Sequence, residues 1–371
     1  MGLPHGWQRD RFDSGTCRLI QVCEQLDPQV EREVGSFLQS VPETTGACQE
    51  HDPRWLHVLK QAMGHKPVLL IARENGPQSP ICGYLPLALV ASRIFGRYLV
   101  SLPYLNRAGV VADDPQVAAE LVAKACELSE QRKTKYLELR HGDALEHASL
   151  GARRADKFRM VLDLPEDDEA LFKAVGPKVR NLIRKGDKHN LSIRWGGSEV
   201  LSDFYRVFSV NMRDLGTPVY SKKLFARIVE QFAGEAELCV VDFEGKPIAG
   251  ALLVHDPHRK ITQVPSASAL RDFNHTSANM WMYHHLLLRT MERGHTRFDF
   301  GRSSEGSGTY QFKKQWGALP QPTVWQYHVN EGDIGEVRPD NPKYARRIAI
   351  WQKLPVWLTR LVGPRIVRGI P

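Results

Sequence analysis

The 371-residue sequence predicts an α/β protein built from mixed α+β sheets in two tandem domains, and three features point to it. The chain is too long for one compact core of ordinary size. The same succession of helical and strand patterns runs through it twice. Near its end, Arg297 to Gly317 (RFDFGRSSEGSGTYQFKKQWG) reads as a strand, a glycine-rich turn and the start of a helix carrying two lysines. A hydrophobic content of 42% with 25% charged residues is that of a globular protein. The formal net charge of +8 favours an acidic partner, whether RNA, a nucleotide-linked intermediate or a membrane surface.

Taken in order, Pro28 to Leu38 and Pro53 to Met63 have helical spacing. A strand pair follows, VLLIAR and ICGYLPLALV, joined around Asn75-Gly76. RYLVSLPY extends the strand series ahead of a helix from Pro115 to Arg132 and the strand TKYLELR. In the second half, helical segments around Leu201 to Met212 and Lys222 to Phe232 precede the strands ELCVV and IAGALLV, which turn at Glu244-Gly245-Lys246-Pro247. Then come ITQVPSAS, a helix from Ala278 to Arg293 stopped by Gly294, and the strand TRFDFG. Two helices, an antiparallel strand series, a helix and a returning strand resemble the GNAT acyltransferase layout, here in tandem. The expected boundaries are 16–160 for the first domain, 161–330 for the second and 331–371 for a basic amphipathic tail.

In Arg297-Phe298-Asp299-Phe300 the rings alternate with charge, so a strand turns Phe298 and Phe300 to the core and Arg297 and Asp299 to the wet side. Gly301, Gly306 and Gly308 allow backbone conformations closed to other residues. The short helix from Thr309 to Gln315 starts with amides that lack intrahelical partners and attract anions. Thr309 with Lys313, and Tyr310 with Lys314, are four apart and share helical faces, while Arg302 stands at the strand exit. The lysine-serine ending of a Walker loop and a dinucleotide G-x-G-x-x-G are both missing, which excludes an ordinary ATPase or dehydrogenase. Neither half carries the Q/R-x-x-G-x-G/A turn of acetyl-CoA enzymes. NRAGVVADDP and LRDFNHTSAN stand there instead, against standard acetyl-CoA binding.

Between the halves, GPKVRNLIRKGDKHNL (Gly176 to Leu191) predicts a helix with Pro177 in its first turn and an apolar stripe of Val179, Leu182 and Ile183. Lys178, Arg180, Arg184, Lys185 and Lys188, answered only by Asp187, form a face suited to phosphates of RNA or a nucleotide sugar, with Asn181 among them. A solvated helix face is the alternative. The turn in NMRDLGTPVYS, which holds Thr217, either lines a cleft or is structural only. His284 and His285 diverge around an apolar helix and read as core, not as a metal pair. Cys17, Cys23, Cys48, Cys82, Cys126 and Cys239 show no metal-ligand or C-x-x-C spacing and read as reduced, mostly buried thiols. The start lacks a hydrophobic signal core and no apolar run approaches the roughly 20 residues of a membrane helix, so a cytoplasmic location is expected. From Asn341 the tail mixes Ile348, Trp351, Trp357, Leu358 and Leu361 with Lys343, Arg346, Arg347, Lys353, Arg360, Arg365 and Arg368. It either docks on the protein's own core or lies on an anionic membrane surface.

KVRNLIRKGDKHNL, the LGTPVYS turn, FDFGRSSEGSGTYQFKKQWGA and the aromatic strand VWQYHV together resemble the Fem-like (FemAB-related) acyltransferases. The likeness is to the subgroup found with exopolysaccharide and PEP-CTERM/exosortase gene clusters, and it covers most of the chain. It implies two GNAT-like domains and metal-free transfer of an acyl or aminoacyl group to an amine. It also implies a co-substrate, aminoacyl-tRNA or acyl-CoA, in place of a resident cofactor, and a nucleotide- or lipid-linked envelope precursor such as that of peptidoglycan. By matching position, Phe312-Lys313 corresponds to the phenylalanine-lysine element implicated in donor binding and catalysis. The helical arm that some peptidoglycan enzymes use for tRNA is not evident. On this reading Lys313 stabilises developing negative charge with help from Arg302, Lys314 and the Gly308 turn, and Tyr310 orients the acceptor or relays a proton. Arg180, Asn181, Arg184, Lys185 and Thr217 then contact the substrates. Two alternatives keep other chemistry open: acyl-CoA-dependent acylation of polysaccharide sugars, and a non-catalytic RNA or membrane-surface binder.

Overall fold

A computed structural model describes residues 7–9, 18–334 and 345–371. Cys17 and the tail residues Asn341 and Lys343 lie outside the described residues. The chain separates into two compact units, one of Met1–Ala155, Pro322–Asn341 and Arg368–Pro371, the other of Asp156–Gln321 and Pro342–Val367.

The first unit contains strands β1 (Trp7–Arg9), β2 (Arg18–Cys23), β3 (Lys66–Glu74), β4 (Ile81–Ser92), β5 (Gly96–Val100), β6 (Val111–Ala112), β7 (Tyr136–His141) and most of β14 (Leu319–Val329). They pair in the order β1-β2-β3-β4-β5-β7-β14, with β6 on β4. The β5–β7 pair is parallel, because helix α3 (Pro115–Gln131) carries the chain back across the sheet. Helices α1 (Pro28–Ser40) and α3 each begin where Asp precedes Pro. Asp27 accepts from the Gln29 amide at 2.7 Å and Asp114 from the Gln116 amide at 2.6 Å. The predicted helix over 53–63 forms as α2 (Arg54–Val58) followed by a π turn over Leu59–Met63. The predicted strand RYLVSLPY stops at Val100, since Leu102 and Tyr104 enter the left-handed region at φ 54° and 71°. Leu70, Leu85, Leu99, Leu121 and Leu137 anchor the core.

The second unit holds most of β8 (Ala152–Asp163), with β9 (Ser192–Gly196), β10 (Ala236–Phe243), β11 (Lys246–Asp256), β12 (Ile261–Ala269) and β13 (Arg297–Ser304), ordered β8-β13-β12-β11-β10-β9. Every neighbour is antiparallel except β12–β13, joined through α8 (Ala278–Glu292). On one sheet face lie α8, α4 (Asp168–Ala174) and α5 (Pro177–Lys188), packed against Cys239, Val241, Ala251 and Leu253. On the other lie α6 (Leu201–Leu215) and α7 (Lys222–Gln231), where Phe204 faces Gly250. α5 and α8 cross at Gly186, where a Cβ would stand 2.5 Å from the Trp281 ring. Asp187 accepts from the Trp281 indole at 2.8 Å, so this carboxylate is occupied by the helix crossing rather than by the neighbouring cations.

Near the end of the chain, α9 (Gly308–Lys314), α10 (Ala345–Trp351) and α11 (Val356–Val367) follow. Of the cysteines, Cys48, Cys82, Cys126 and Cys239 are buried and Cys23 is half-buried. His284 is buried and bonds Asp168 at 3.1 Å, while His285 bonds the Trp281 carbonyl, so the two rings point to different partners.

Candidate acyl-transfer site

The site begins with two strands that part. β12 and β13 pair only through Ile261/Arg297, Thr262/Phe298 and Gln263/Asp299. Beyond that level both ladders slip: β13 bulges against β8 between Asp299 and Arg302, and the β11–β12 register shifts between Leu252 and Val254, opposite Gln263 to Ser266. A bulge bends its strand and re-aims the groups at it. Gly301 makes the bend, with φ +74°, a conformation that a side chain would strain.

Lys313 fills the notch. It is 7% exposed, and its Nζ donates to the carbonyls of Gly301 and Arg302, both at 3.1 Å. An ammonium has three N–H bonds, and these two carbonyls engage two of them. Burial lowers its pKa to about 8; Asp299 opposes the fall and Arg302 adds to it. The cation is thus held desolvated, where it acts most strongly on a nearby negative charge.

Asp299 is a correction to the sequence reading. The alternation predicted it on the wet side with Arg297, yet it is 4% exposed. One of its oxygens accepts from Arg159 Nε at 2.6 Å and the other from the Gly301 amide at 2.8 Å. Arg159 on the neighbouring strand β8 supplies the counter-charge, so the carboxylate pins the bulge whose carbonyls hold Lys313. The carboxylate between two phenylalanines was the available signal. Its partner, 140 residues away, was not legible.

The helix faces also differ from the expectation. Tyr310, Lys313 and Trp316 are buried, a three-residue stripe, whereas Thr309 and Lys314 are exposed. Each predicted four-residue pair therefore has one member inside and one outside. Tyr310 packs edge-on to Phe158 at 6.2 Å, and Phe312, half-buried, packs edge-on to Tyr283 at 4.8 Å. Gly306 has φ +72°, but Gly308 is an ordinary first helical residue with space for a Cβ. Ser307 caps α9, its hydroxyl accepting from the Tyr310 amide at 3.2 Å, so part of the expected amide cradle is already satisfied. Arg302 is half-buried on β13.

α8 is a shared wall. α9 meets it through Phe312 and Tyr283, and α5 meets it through Gly186 and Trp281. On α5, Asn181, Arg184 and Lys185 are exposed, with Arg184 5.2 Å from the Phe172 ring. Arg180 bonds the Val175 and Lys173 carbonyls at 2.6 and 3.2 Å and so closes the C-terminus of α4. Thr217 is exposed in the turn after α6, on the sheet face opposite α5. A surface hollow of about 300 Å³ lies in the first unit, lined by Glu24, Lys60, Gly64, His65, Lys66 and Pro67. It lacks the pinned ammonium and parted strands that give the Lys313 region its chemistry.

The acetyltransferase (GNAT) domain family matches residues 177–314, which run from the first residue of α5 to the last of α9. Among solved structures, FemX is 13% identical, with a TM-score of 0.62, covering 83% of this chain and 97% of its own. A tandem GNAT protein from the clavulanic acid biosynthesis pathway is 13% identical, with a TM-score of 0.50 and coverage of 85% and 99%. L-PGS from Bacillus licheniformis is 11% identical, with a TM-score of 0.50 and coverage of 84% and 98%. No curated protein matches the chain. The class is a GNAT-type α/β fold of the Fem-like and tandem kind. The residues that match the acetyltransferase (GNAT) domain family lie within the second unit.

Proposed function

We propose that the protein is a Fem-like acyltransferase that moves an acyl or aminoacyl group from an activated donor, aminoacyl-tRNA or acyl-CoA, to an amine of a cell-envelope or exopolysaccharide precursor. The observation that carries this reading is the buried Lys313 ammonium, fixed by two carbonyls at the parting of β12 and β13. The acceptor amine attacks the donor's ester or thioester carbonyl. The carbonyl oxygen becomes an oxyanion and takes the third Lys313 N–H. The C–O or C–S bond then breaks as the amide forms, and the amine's proton leaves with the ribose hydroxyl or thiol. Tyr310 orients the acceptor or passes that proton, and Arg302 adds positive potential. Phe312 gives the acyl chain an apolar wall, while Lys314 and the turn at Gly308 face the donor's anionic part.

The exposed α5 residues Asn181, Arg184 and Lys185 suit the phosphates of a nucleotide or RNA carrier, and Arg180 serves them by fixing the α4–α5 junction. Thr217 stands apart from these groups on the opposite sheet face, and its role as a substrate contact rests on the LGTPVYS segment alone. The PEP-CTERM and exopolysaccharide association rests on the FDFGRSSEGSGTYQFKKQWGA and LGTPVYS segments. Work on a lipid-linked precursor would take place on the cytoplasmic face of the membrane. The acetyltransferase-domain match favours acyl-CoA as a second donor reading. Against it stands the loop LRDFNHTSAN before α8, which lacks the glycines that usually cradle a pyrophosphate.

The test is donor consumption followed by mass spectrometry, with charged tRNA and acyl-CoA offered separately. Lys313→Ala should lower turnover by about 10²-fold or more, the usual loss for one oxyanion donor. Turnover unchanged in a folded variant removes the assignment.

A further inference from the structure

α11 has two faces with different fates. Thr359, Gly363 and Val367 are buried, and a Cβ on Gly363 would stand 2.8 Å from the Val219 amide nitrogen, so this side is seated tightly on the turn after α6. Arg360 adds a bond to the Ser209 hydroxyl at 2.8 Å and lies 5.5 Å from the Tyr205 ring. The helix is therefore docked, and its orientation is fixed. On the opposite side Trp357 and Leu361, one turn apart, remain 66% and 56% exposed, and Arg365 follows a turn later, also exposed. Just before the helix, Ile350 is 63% exposed and Lys353 is exposed.

Single exposed apolar residues are ordinary, but a tryptophan and a leucine aligned on one stripe are not explained by the fold. Charge identifies what covers them. Residues 345–371 contain six arginines or lysines and no carboxylate, in a chain of net charge +8. An apolar stripe set among cations, with tryptophan at the boundary, matches the interface of an anionic bilayer, where rings sit at headgroup depth and guanidinium groups meet lipid phosphates. The inner face of α11 is seated on the protein, so the contact its outward face can make is one of lying on the surface. We propose that the outward face of α11, centred on Trp357 and Leu361, docks the protein on an anionic membrane surface. This holds independently of the acyl-transfer reading.

The test is sedimentation of the full chain with vesicles of phosphatidylglycerol and phosphatidylcholine, and with vesicles of phosphatidylcholine alone. The expected result is strong partition onto the anionic vesicles, weakened by salt, with little on the neutral ones. Trp357→Ser/Leu361→Ser should reduce that partition about tenfold or more, and Arg365→Glu should reduce it further on anionic vesicles only. Both variants change exposed side chains, and an unchanged melting temperature checks that they fold. Wild-type protein left in the supernatant with anionic vesicles overturns the proposal, as does a double variant that binds like wild type. A wild-type dimer that Trp357→Ser/Leu361→Ser splits, with no vesicle binding, assigns the face to a second copy of the chain instead.

Discussion

Replacing Lys313 by methionine keeps a side chain of similar length and removes its charge. The fall of the lysine pKa from 10.5 to about 8 means that the folded protein holds this ammonium at a cost. At roughly 1.4 kcal/mol per tenfold in acidity, the cost is about 3 kcal/mol at pH 7. Methionine removes it but strands the Gly301 and Arg302 carbonyls, at about 1 kcal/mol or somewhat more each. The variant should then be as stable as wild type or more so, by up to about 1 kcal/mol, while losing turnover. The linkage has a definite sign. Between pH 8 and 10.5 the unfolded chain holds a proton on Lys313 that the folded chain has lost, so wild-type stability rises with pH relative to the variant. About 2.5 kcal/mol of that gain should appear between pH 7 and 10, and urea unfolding of both proteins at the two pH values measures it. A variant more than about 2 kcal/mol less stable at pH 7, with a pH-independent difference, would mean that Lys313 is a structural tie and not a cation held at a cost.

Asp299→Asn should keep an acceptor for the Gly301 amide but remove the carboxylate charge that meets Arg159 in a buried pair, at about 3–5 kcal/mol by denaturant unfolding; a change under 1 kcal/mol would show that the pair does not pin the bulge. At Glu237, burial alone would raise the pKa, but bonds from His255 and Arg289 hold it near 2. Its contribution is therefore present above pH 4.5 and lost as pH falls toward 2. Glu237→Gln should flatten the acid limb of the stability curve in that window, and an unaltered limb would exclude the role.

Much of the fold was legible because its signals are local. Pro28 and Pro115 stand at two predicted helix starts, Asn75-Gly76 marks a hairpin and Gly294 a helix end, and each needs only neighbouring residues. β8 was not legible: ARRADKFRMVLD mixes charge and apolar residues, and it becomes a strand because β13 pairs with it through contacts such as Leu162 with Phe298. The candidate site divides in the same way. Lys313 stood out beside its glycines, whereas the Asp299–Arg159 pair and the two register slips are products of strand pairing. Arg180 illustrates the converse, since the sequence displays its charge but not the α4 carbonyls that engage it.

Protection of Lys313 from an amine-reactive reagent reports whether a donor sits beside this ammonium, with modification read by peptide mass spectrometry in the presence and absence of each donor. A donor seated at the parting of β12 and β13 should slow modification of Lys313 severalfold and leave the exposed Lys314 reacting as before. If a donor that the protein turns over leaves both lysines reacting at their free rates, the acyl carrier binds elsewhere.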